Sequence, residues 1–311
     1  MVRPKPLSTP PPRDGVGASR VASGARYPSV AHFLEARFPR VTDWPERFLR
    51  GDVLDAQCRP ADPRAPCLPG TALWYWRKPP PEPRVPFEVE LLHQDARLVV
   101  IDKPHFLPVT PGGRHLHETV LVRLKKMLGI DTLAPMHRLD LETAGVLAFT
   151  VQPQTRHAYQ ALFRDRQVTK VYEAVAPWHE DLALPLVCRH RLETQEGEGF
   201  MQMRVLPGEP NAETRIALID RIGDGLALYR LTPVTGRKHQ LRAQMNALGL
   251  PIVGDRIYPD LLPEMPPDYA RPLQLLARAL QFADPVDGSV RRFESRRVLA
   301  LSAGAQAGRM P

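Results

Sequence analysis

The most constraining feature of the sequence is an acidic residue just before a long, largely apolar run. Asp140 precedes Gly145 and the run Val146–Val151. Such a run is typical of a buried strand. Burying a carboxylate at the start of that strand costs free energy unless a cation or hydrogen-bond donors contact it. Arg138 lies two residues away, but an arginine from another element would be a better fixed partner. The pattern therefore predicts a polar site at one end of a buried strand.

Length and charge narrow the class of protein. A chain of 311 residues favours one large domain or two unequal ones, and 43% hydrophobic residues suffice for a substantial core. The formal net charge of +8 favours a polyanionic partner such as nucleic acid. A merely solvated basic surface explains the charge equally well, so charge alone does not decide between the two.

Cysteine usage and hydropathy indicate a compartment. The three cysteines, Cys58, Cys67 and Cys188, form no CxxC pair. This pattern fits a reducing cytosol and argues against a disulfide framework or a cysteine zinc site. No apolar signal segment follows the basic N-terminus, and the apolar runs are of strand length. We therefore expect a soluble, cytoplasmic protein without a transmembrane helix.

Composition divides the chain into five parts. Residues 1–26 are rich in Pro, Gly, Ser and Arg, which predicts a disordered basic tail. Residues 27–77 show helical spacing at 30–38 and 44–49 and short strands at 53–55 and 72–76. Residues 78–86 form a proline-rich linker, the best domain boundary in the chain. A larger domain is expected over 87–300, followed by a flexible tail at 301–311.

Strands and helices interleave in the larger domain. A helix is predicted at 120–128 with Gly129 as its C-cap, and residues 214–220 and 226–231 alternate as a hairpin. Further helices are predicted at 237–248 and 273–280. The mixture predicts an α+β fold around one central sheet.

Three motifs resemble those of the RluA-type pseudouridine synthases. The central one is His-Arg-Leu-Asp at 137–140, the second is Lys-Val-Tyr-Glu-Ala at 170–174, and the third runs from Thr235 through Arg242 to Asp255. They occur in the family's order, and the resemblance covers roughly residues 86–296. It implies the pseudouridine synthase fold, with a central, mainly antiparallel mixed sheet, flanking helices and a cleft across the sheet. Residues 27–77 resemble a degenerate S4 RNA-binding module; a family-specific structural extension is the alternative.

The resemblance assigns roles to individual residues. It implies that Asp140 is the catalytic residue and that Arg242 is its cationic partner, which orients the carboxylate by a bidentate contact. Arg138 is implied to fill the gap left by an extruded base, with a phosphate contact or an ordinary salt bridge as alternatives. Tyr172 is implied to stack on the extruded uracil. These assignments place one carboxylate among cations and an aromatic platform.

Two histidines lie beside these residues in the sequence. His137 and His239 are expected to be hydrogen-bonding neighbours of the site rather than acid–base catalysts. Lys103 is a candidate for the cleft lining. Gln244 stands where family members often carry His, which affects local hydrogen bonding but removes no catalytic group.

The implied activity is isomerisation of uridine to pseudouridine in 23S rRNA or tRNA. This reaction requires no cofactor and no metal, and RNA is the expected partner of a protein that we take to be a monomer. One alternative is a catalytically inactive RNA-binding or ribosome-assembly factor on the same scaffold. Another is a metal-dependent hydrolase built on His137 and Asp140, which lacks an evident third ligand.

Overall fold

A computed structural model describes residues 9–78, 81–194, 202–223 and 225–302. The described helices are α1 (Val30–Arg37), α2 (Trp44–Leu49), α3 (Val120–Leu128), α4 (Arg156–Arg164) and α5 (Gln240–Ala247). The first strands are β1 (Ser19–Ala22), β2 (Val53–Leu54), β3 (Ala72–Tyr75), β4 (Glu90–Gln94), β5 (Leu98–Lys103), β6 (Ala134–Pro135) and β7 (Ala144–Thr150). The remaining strands are β8 (Val168–Pro177), β9 (Leu186–Thr194), β10 (Met203–Leu206), β11 (Ala212–Ile222), β12 (Leu226–Pro233), β13 (Leu275–Ala283) and β14 (Val290–Glu294).

An 11-stranded sheet organises the larger domain. Its order is β10-β9-β11-β12-β8-β13-β7-β5-β4, with β14 paired to β13 and β6 paired to β7. Strands β13 and β7 run parallel, while the other strand pairs described in this sheet are antiparallel. The predicted mixed, mainly antiparallel sheet is therefore confirmed.

The centre of the sheet is buried on both faces. Every residue of β5 and of β7 is buried, so residues 98–101 and 144–149 appear in the sequence as apolar runs rather than as alternating patterns, and β5 ends in the buried charges of Asp102 and Lys103. Helix α3 packs against one face and α4 against the other. Helix α3 begins at Thr119, whose side-chain hydroxyl accepts from the N–H of Val122, and ends at Gly129 in the left-handed conformation, as predicted.

The expected helix at 273–280 is wrong. Residues 275–283 form strand β13, which pairs with β8, β7 and β14. The apolar residues of this segment fit a helical period, but most of them are buried because the strand has neighbours on both faces. A β-bulge between Ala277 and Ala279 changes the register against β8.

The N-terminal module has its own small sheet, in the order β1-β3-β2, and its own core. Trp44, Phe33 and Leu34 are almost completely buried there. The prediction of a disordered tail over 1–26 is wrong for Ser19–Ala22, because these residues pair with β3. Residues 1–8 lie outside the described chain. The S4 assignment of the module stays a prediction.

The proline-rich segment is bound to the larger domain. The carboxylate of Glu82 accepts hydrogen bonds from the backbone N–H groups of Leu116, His117 and Glu118, at 2.9–3.0 Å. Val85 is 6% exposed and joins the core. Residues 79 and 80 lie outside the described chain. The described part of this segment is therefore a fixed connection and not a free spacer.

The two ends of the described chain also pack onto the larger domain. Val16 is buried against Leu116 and Val122. At the other end, the 3-10 turn Ala300–Ser302 buries Ser302, so the prediction of a flexible tail is wrong for residues 301 and 302; residues 303–311 lie outside the described chain. In the described segments, no helix is long and apolar enough to cross a membrane.

Candidate active site

All six predicted site residues line one cleft of about 620 Å³. The loop between β6 and β7 brings His137, Arg138 and Asp140 to it. Tyr172 comes from β8 in the middle of the sheet, and Arg242 from α5. His239 lies at the N-cap of α5. Residues from three separate motifs therefore meet at one place.

Arg242 is the fixed cation of the cleft. Its side chain is 2% exposed, and it donates to both carboxylate oxygens of Asp255 at 2.7 and 2.6 Å. Asp255 is fully buried and also accepts from the N–H groups of Ile257 and Tyr258. This bidentate pair fixes the plane of the guanidinium. Burial acts to lower the pKa of Arg242, but Asp255 and the neighbouring carboxylates outweigh burial and raise it.

Asp140 meets the outer side of the same guanidinium. The distance from Nη1 of Arg242 to Oδ2 of Asp140 is 3.6 Å, and Asp140 keeps 24% of its side chain exposed. The expected bidentate partner of Arg242 was Asp140, and this detail is wrong because Asp255 occupies that position. Asp140 therefore lies next to a permanent positive charge and retains access to the cleft.

Glu142 is the third carboxylate at Arg242. Its Oε2 accepts from Nη2 at 3.2 Å. Burial raises the pKa of Glu142 above its ordinary value, and Arg242 only partly opposes the change. One guanidinium is thus shared by three acids, which holds the loop after Asp140 against α5.

Proteins similar to this chain are RNA pseudouridine synthases. The family model described as RNA pseudouridylate synthase matches residues 97–247. RluA of Haemophilus influenzae, a dual-specificity RNA pseudouridine synthase, is 32% identical over 231 residues, which are 70% of this chain and 95% of that protein. An RNA pseudouridine synthase of Synechocystis is 34% identical over 218 residues, covering 69% of this chain and 73% of the relative.

The chain belongs to the RluA-type RNA pseudouridine synthases. It is thus an isomerase that acts on RNA. The solved structure of human RNA Pseudouridylate Synthase Domain Containing 4 matches with a TM-score of 0.52 at 28% identity, over 67% of this chain and 88% of that one. Human RNA Pseudouridylate Synthase Domain Containing 1, at 22% identity and a TM-score of 0.55, has the same fold.

Replacing Arg242 of this pseudouridine synthase with Lys should destabilise the protein. An ammonium cannot bind both oxygens of Asp255 in one plane, so a buried carboxylate loses part of its compensation. We expect a loss of about 2–3 kcal/mol in the free energy of unfolding, measured by urea denaturation, together with a strong loss of activity. Arg271→Lys is the matched control, because Arg271 is 86% exposed in its pair with Asp268. A result in which the two variants are equally stable would contradict the role given to the Arg242–Asp255 pair.

His239 is buried beside Asp140, as a neutral ring. Its Nε2 lies 4.0 Å from Oδ1 of Asp140, and its ring contacts the ring of Tyr258 edge-on. Burial lowers the pKa of His239 to about 4, while Asp140 opposes the shift. Its backbone is in the left-handed region, with φ of 49°, and Nδ1 has no partner among the described residues.

His137 stacks on Phe163 rather than facing Asp140. The ring centroids are 4.6 Å apart with an angle of 15° between the planes, and Nε2 accepts from the N–H of Ala148 at 3.3 Å. His137 thus braces the loop against strand β7. This arrangement also argues against the alternative hydrolase, since the ring is committed to packing, and no group of three metal-binding side chains occurs in the described part of the chain.

His137 should make folding sensitive to acid. Burial lowers its pKa to about 3 from an ordinary value of 6.5. Between these values the unfolded chain binds a proton that the folded chain does not, so stability should fall as the pH is lowered from 6.5 toward 3. We expect His137→Gln to flatten the pH dependence of the unfolding free energy by up to about 1.4 kcal/mol per pH unit. Parallel curves for the variant and the wild type would contradict the assignment.

Lys103 does not line the cleft, contrary to expectation. It is fully buried, and its Nζ donates to the carbonyls of Pro104, Leu107 and Leu141 at 2.8–3.1 Å. Leu141 directly follows Asp140, so Lys103 holds the Asp140 loop from within the protein. Burial lowers the pKa of Lys103 to about 7, and Asp140 opposes the shift.

Arg138 and Tyr172 are placed differently in the cleft. Arg138 is exposed, and it forms no ion pair or side-chain hydrogen bond with the residues that the structure describes. Tyr172 is half-buried between Ala277 of β13 and Leu231 of β12. Burial, followed by the charge of Asp140, raises the pKa of Tyr172, which keeps its hydroxyl protonated. Arg138 thus has no partner among the described residues, whereas Tyr172 lies on a central strand of the sheet.

Buried amides fix the helix that carries Arg242. Gln240 accepts from the hydroxyl of Thr235 at 2.7 Å and donates to Thr214 at 2.9 Å. The hydroxyl of Thr214 donates to Gln244 at 2.6 Å, and Gln244 donates to the carbonyl of Cys188 at 3.2 Å. Gln244, the departure from the family pattern, therefore joins α5 to strands β9 and β11.

Three of the residues described here carried no assigned role in the sequence. Asp255 ended the third motif, but nothing in the chain indicated that it faces Arg242. Glu142 lies two residues after Asp140, just beyond the central motif. Lys170 began the second motif and proves to line the cleft. Their positions in or beside the motifs were the available signal, and the contacts themselves arise only when distant segments meet.

Proposed function

We propose that this chain converts uridine to pseudouridine at specific positions in 23S rRNA or tRNA, with Asp140 as the catalytic residue. One observation carries the proposal: Asp140 is the single carboxylate of the described residues that line the cleft, and it lies beside Arg242. The cationic side chains of the lining are Arg138, Arg164, Arg166, Lys170, Arg237, Lys238 and Arg242. A basic cleft with one acid suits a polyanionic substrate that requires a single reactive carboxylate.

The proposed reaction needs only the groups that this chain supplies. The bond between N1 of uracil and C1′ of ribose breaks, the base turns, and C5 bonds to C1′. The proton on C5 is lost and N1 gains one, so there is no net oxidation. Asp140 acts either as a nucleophile at C1′ or as a base on the sugar. In both cases the positive charge of Arg242 lies beside the reacting carboxylate, at 3.6 Å.

The target base has to leave its stack to reach Asp140. We assign filling of the resulting gap to Arg138, because it is exposed, lies two residues from Asp140 and has no partner in the described chain. We assign stacking on the extruded uracil to Tyr172, because the sheet holds its ring at the cleft. Base–aromatic stacking of this kind contributes about 1–3 kcal/mol per base.

RluA of Haemophilus influenzae is named a dual-specificity RNA pseudouridine synthase. A relative with two specificities makes it worthwhile to test this chain on more than one RNA class, and we propose ribosomal and transfer RNA. A cytoplasmic location and a monomeric state stay predictions. The alternative, an inactive RNA-binding or assembly factor, predicts RNA binding without turnover.

Tritium release tests the proposal. RNA labelled with tritium at uridine C5, from a strain that lacks the gene, keeps its target site unmodified. We expect the enzyme to release tritium into water and to leave pseudouridine at mapped positions in rRNA, tRNA or both. Tight binding to both RNA classes without any release would favour the inactive factor instead.

A further inference from the structure

Lys170 is a half-buried cation of the cleft without a carboxylate partner. Its Nζ donates to the carbonyl of Thr235 at 2.9 Å, which uses one of three donor hydrogens. No ion pair among the described residues involves Lys170. Burial and, to a smaller extent, the neighbouring charge of Arg166 together lower its pKa to about 8. A charged group that is partly desolvated and uncompensated favours an anion from outside the chain.

Arg166 supplies a second cation at the same wall. It lies in the turn between α4 and β8, is exposed, and adopts the left-handed conformation with φ of 58°. This conformation ends α4, since the N–H of Gln167 donates to the carbonyl of Leu162 at 2.8 Å. Glu213 is close enough for Arg166 to lower its pKa, but its carboxylate is bound to Arg189 at 2.8 Å. Arg166 forms no ion pair in the described part of the chain.

Lys170 has a defined position relative to the proposed base platform. Lys170 and Tyr172 are two residues apart on β8, so their side chains leave the same face of the strand, about 7 Å apart along it. Both line the cleft. If the base of a nucleotide stacks on Tyr172, the backbone of that nucleotide therefore passes close to Lys170, which is about 7 Å away along the strand.

We propose that Lys170 and Arg166 form a phosphate subsite that binds the RNA backbone next to the extruded uridine. The inference rests on the proposed function, since it takes an RNA nucleotide as the occupant of the cleft. It assigns to these two residues a contact that is independent of base sequence. Lys170 then has two connected roles, because it also holds the Thr235 carbonyl of the third motif.

Salt dependence tests the subsite. Binding of labelled RNA from a strain that lacks the gene is measured over a series of KCl concentrations for the wild type, Lys170→Met, Arg166→Met and Arg292→Met. Arg292 is the matched control, because it is an exposed arginine on β14, outside the cleft, in an ion pair with Glu294. We expect the Lys170 and Arg166 variants each to lower the slope of log K against log[salt] by about 0.7 and to weaken binding about tenfold at low salt. Arg292→Met should keep the wild-type slope.

A second measurement separates the phosphate contact from a merely structural role. Lys170→Arg keeps the charge and a donor for Thr235, so it should restore the slope. Lys170→Met should raise KM for RNA while kcat at saturation changes little. The subsite is overturned if Lys170→Met and Arg166→Met both keep the wild-type slope of log K against log[salt]. It is also overturned if these variants lose kcat and thermal stability while their slope stays that of the wild type. If wild-type protein releases no tritium, the proposed function fails, while the slopes still decide whether these residues bind RNA phosphate.

Discussion

Replacing Asp140 with Asn should abolish turnover and leave RNA binding close to that of the wild type. The change removes the charge and the reactive carboxylate but keeps the shape of the side chain. Arg242 remains held by Asp255 and Glu142, so the cleft should keep its form. We expect tritium release to fall at least roughly 10³-fold, the scale seen when a catalytic group is removed.

The control for this experiment is Asp268→Asn. Asp268 is an acid in an exposed loop that pairs with Arg271 at 2.7 Å, so the substitution makes the same chemical change outside the cleft. It should release tritium as the wild type does. RNA affinity and the unfolding transition are measured for both variants, so that a binding or folding defect is not mistaken for lost chemistry. Normal turnover by Asp140→Asn would show that the site assignment is wrong.

Replacing Gly145 with Ala should prevent stable folding of the larger domain. Gly145 lies where β7 pairs with β13 in parallel and with β5 in antiparallel. Its φ is +112°, and an added Cβ would lie 2.2 Å from the carbonyl oxygen and 2.7 Å from the nitrogen of Ala277. Neither backbone can shift, because both strands are paired on each side. We expect a loss of about 4 kcal/mol or more in the free energy of unfolding.

Urea denaturation of Gly145→Ala and Gly24→Ala measures the effect. A Cβ at Gly24 would meet no atom within 4 Å. Gly24→Ala should therefore differ from the wild type by no more than about 1 kcal/mol, chiefly through the entropy of the unfolded chain. If Gly145→Ala unfolds at the same urea concentration as the Gly24 variant, the close approach of β7 and β13 is not as described.

The sequence predicted elements well where local chemistry alone decides them. Helix α3 has a threonine N-cap and a glycine C-cap, and the β11–β12 hairpin alternates on both sides of its turn. Strand β13 was mistaken for a helix, because its apolar residues are set by neighbours on both faces and fit either period. Strand β1 has one large apolar residue, Val21, and becomes a strand because β3 offers an edge.

In the site as well, the sequence predicted what local segments decide and missed what tertiary packing decides. The motifs indicated which residues would meet in the cleft, since each stands in a short segment that resembles the family. They did not indicate that Arg242 is held by Asp255. That contact joins α5 to the loop that follows it, and it depends on the directions of the two side chains, which the motifs do not specify. Outside the motifs, Lys103 was a candidate for the cleft lining, whereas its ammonium is buried behind the loop with three carbonyl acceptors. Partners of buried charges depend on tertiary packing, which local patterns do not specify.

The packing of Val16 limits where this protein can be shortened. A version that begins at residue 27, at the predicted start of the N-terminal module, would lack both Val16 and strand β1. Loss of Val16 would uncover Leu116 and Val122 on the larger domain, and loss of β1 would leave β3 with an unpaired edge. Exposed apolar side chains beside an open strand edge favour self-association. The described residues before 27 thus cover an apolar surface and a strand edge that truncation would leave open to self-association.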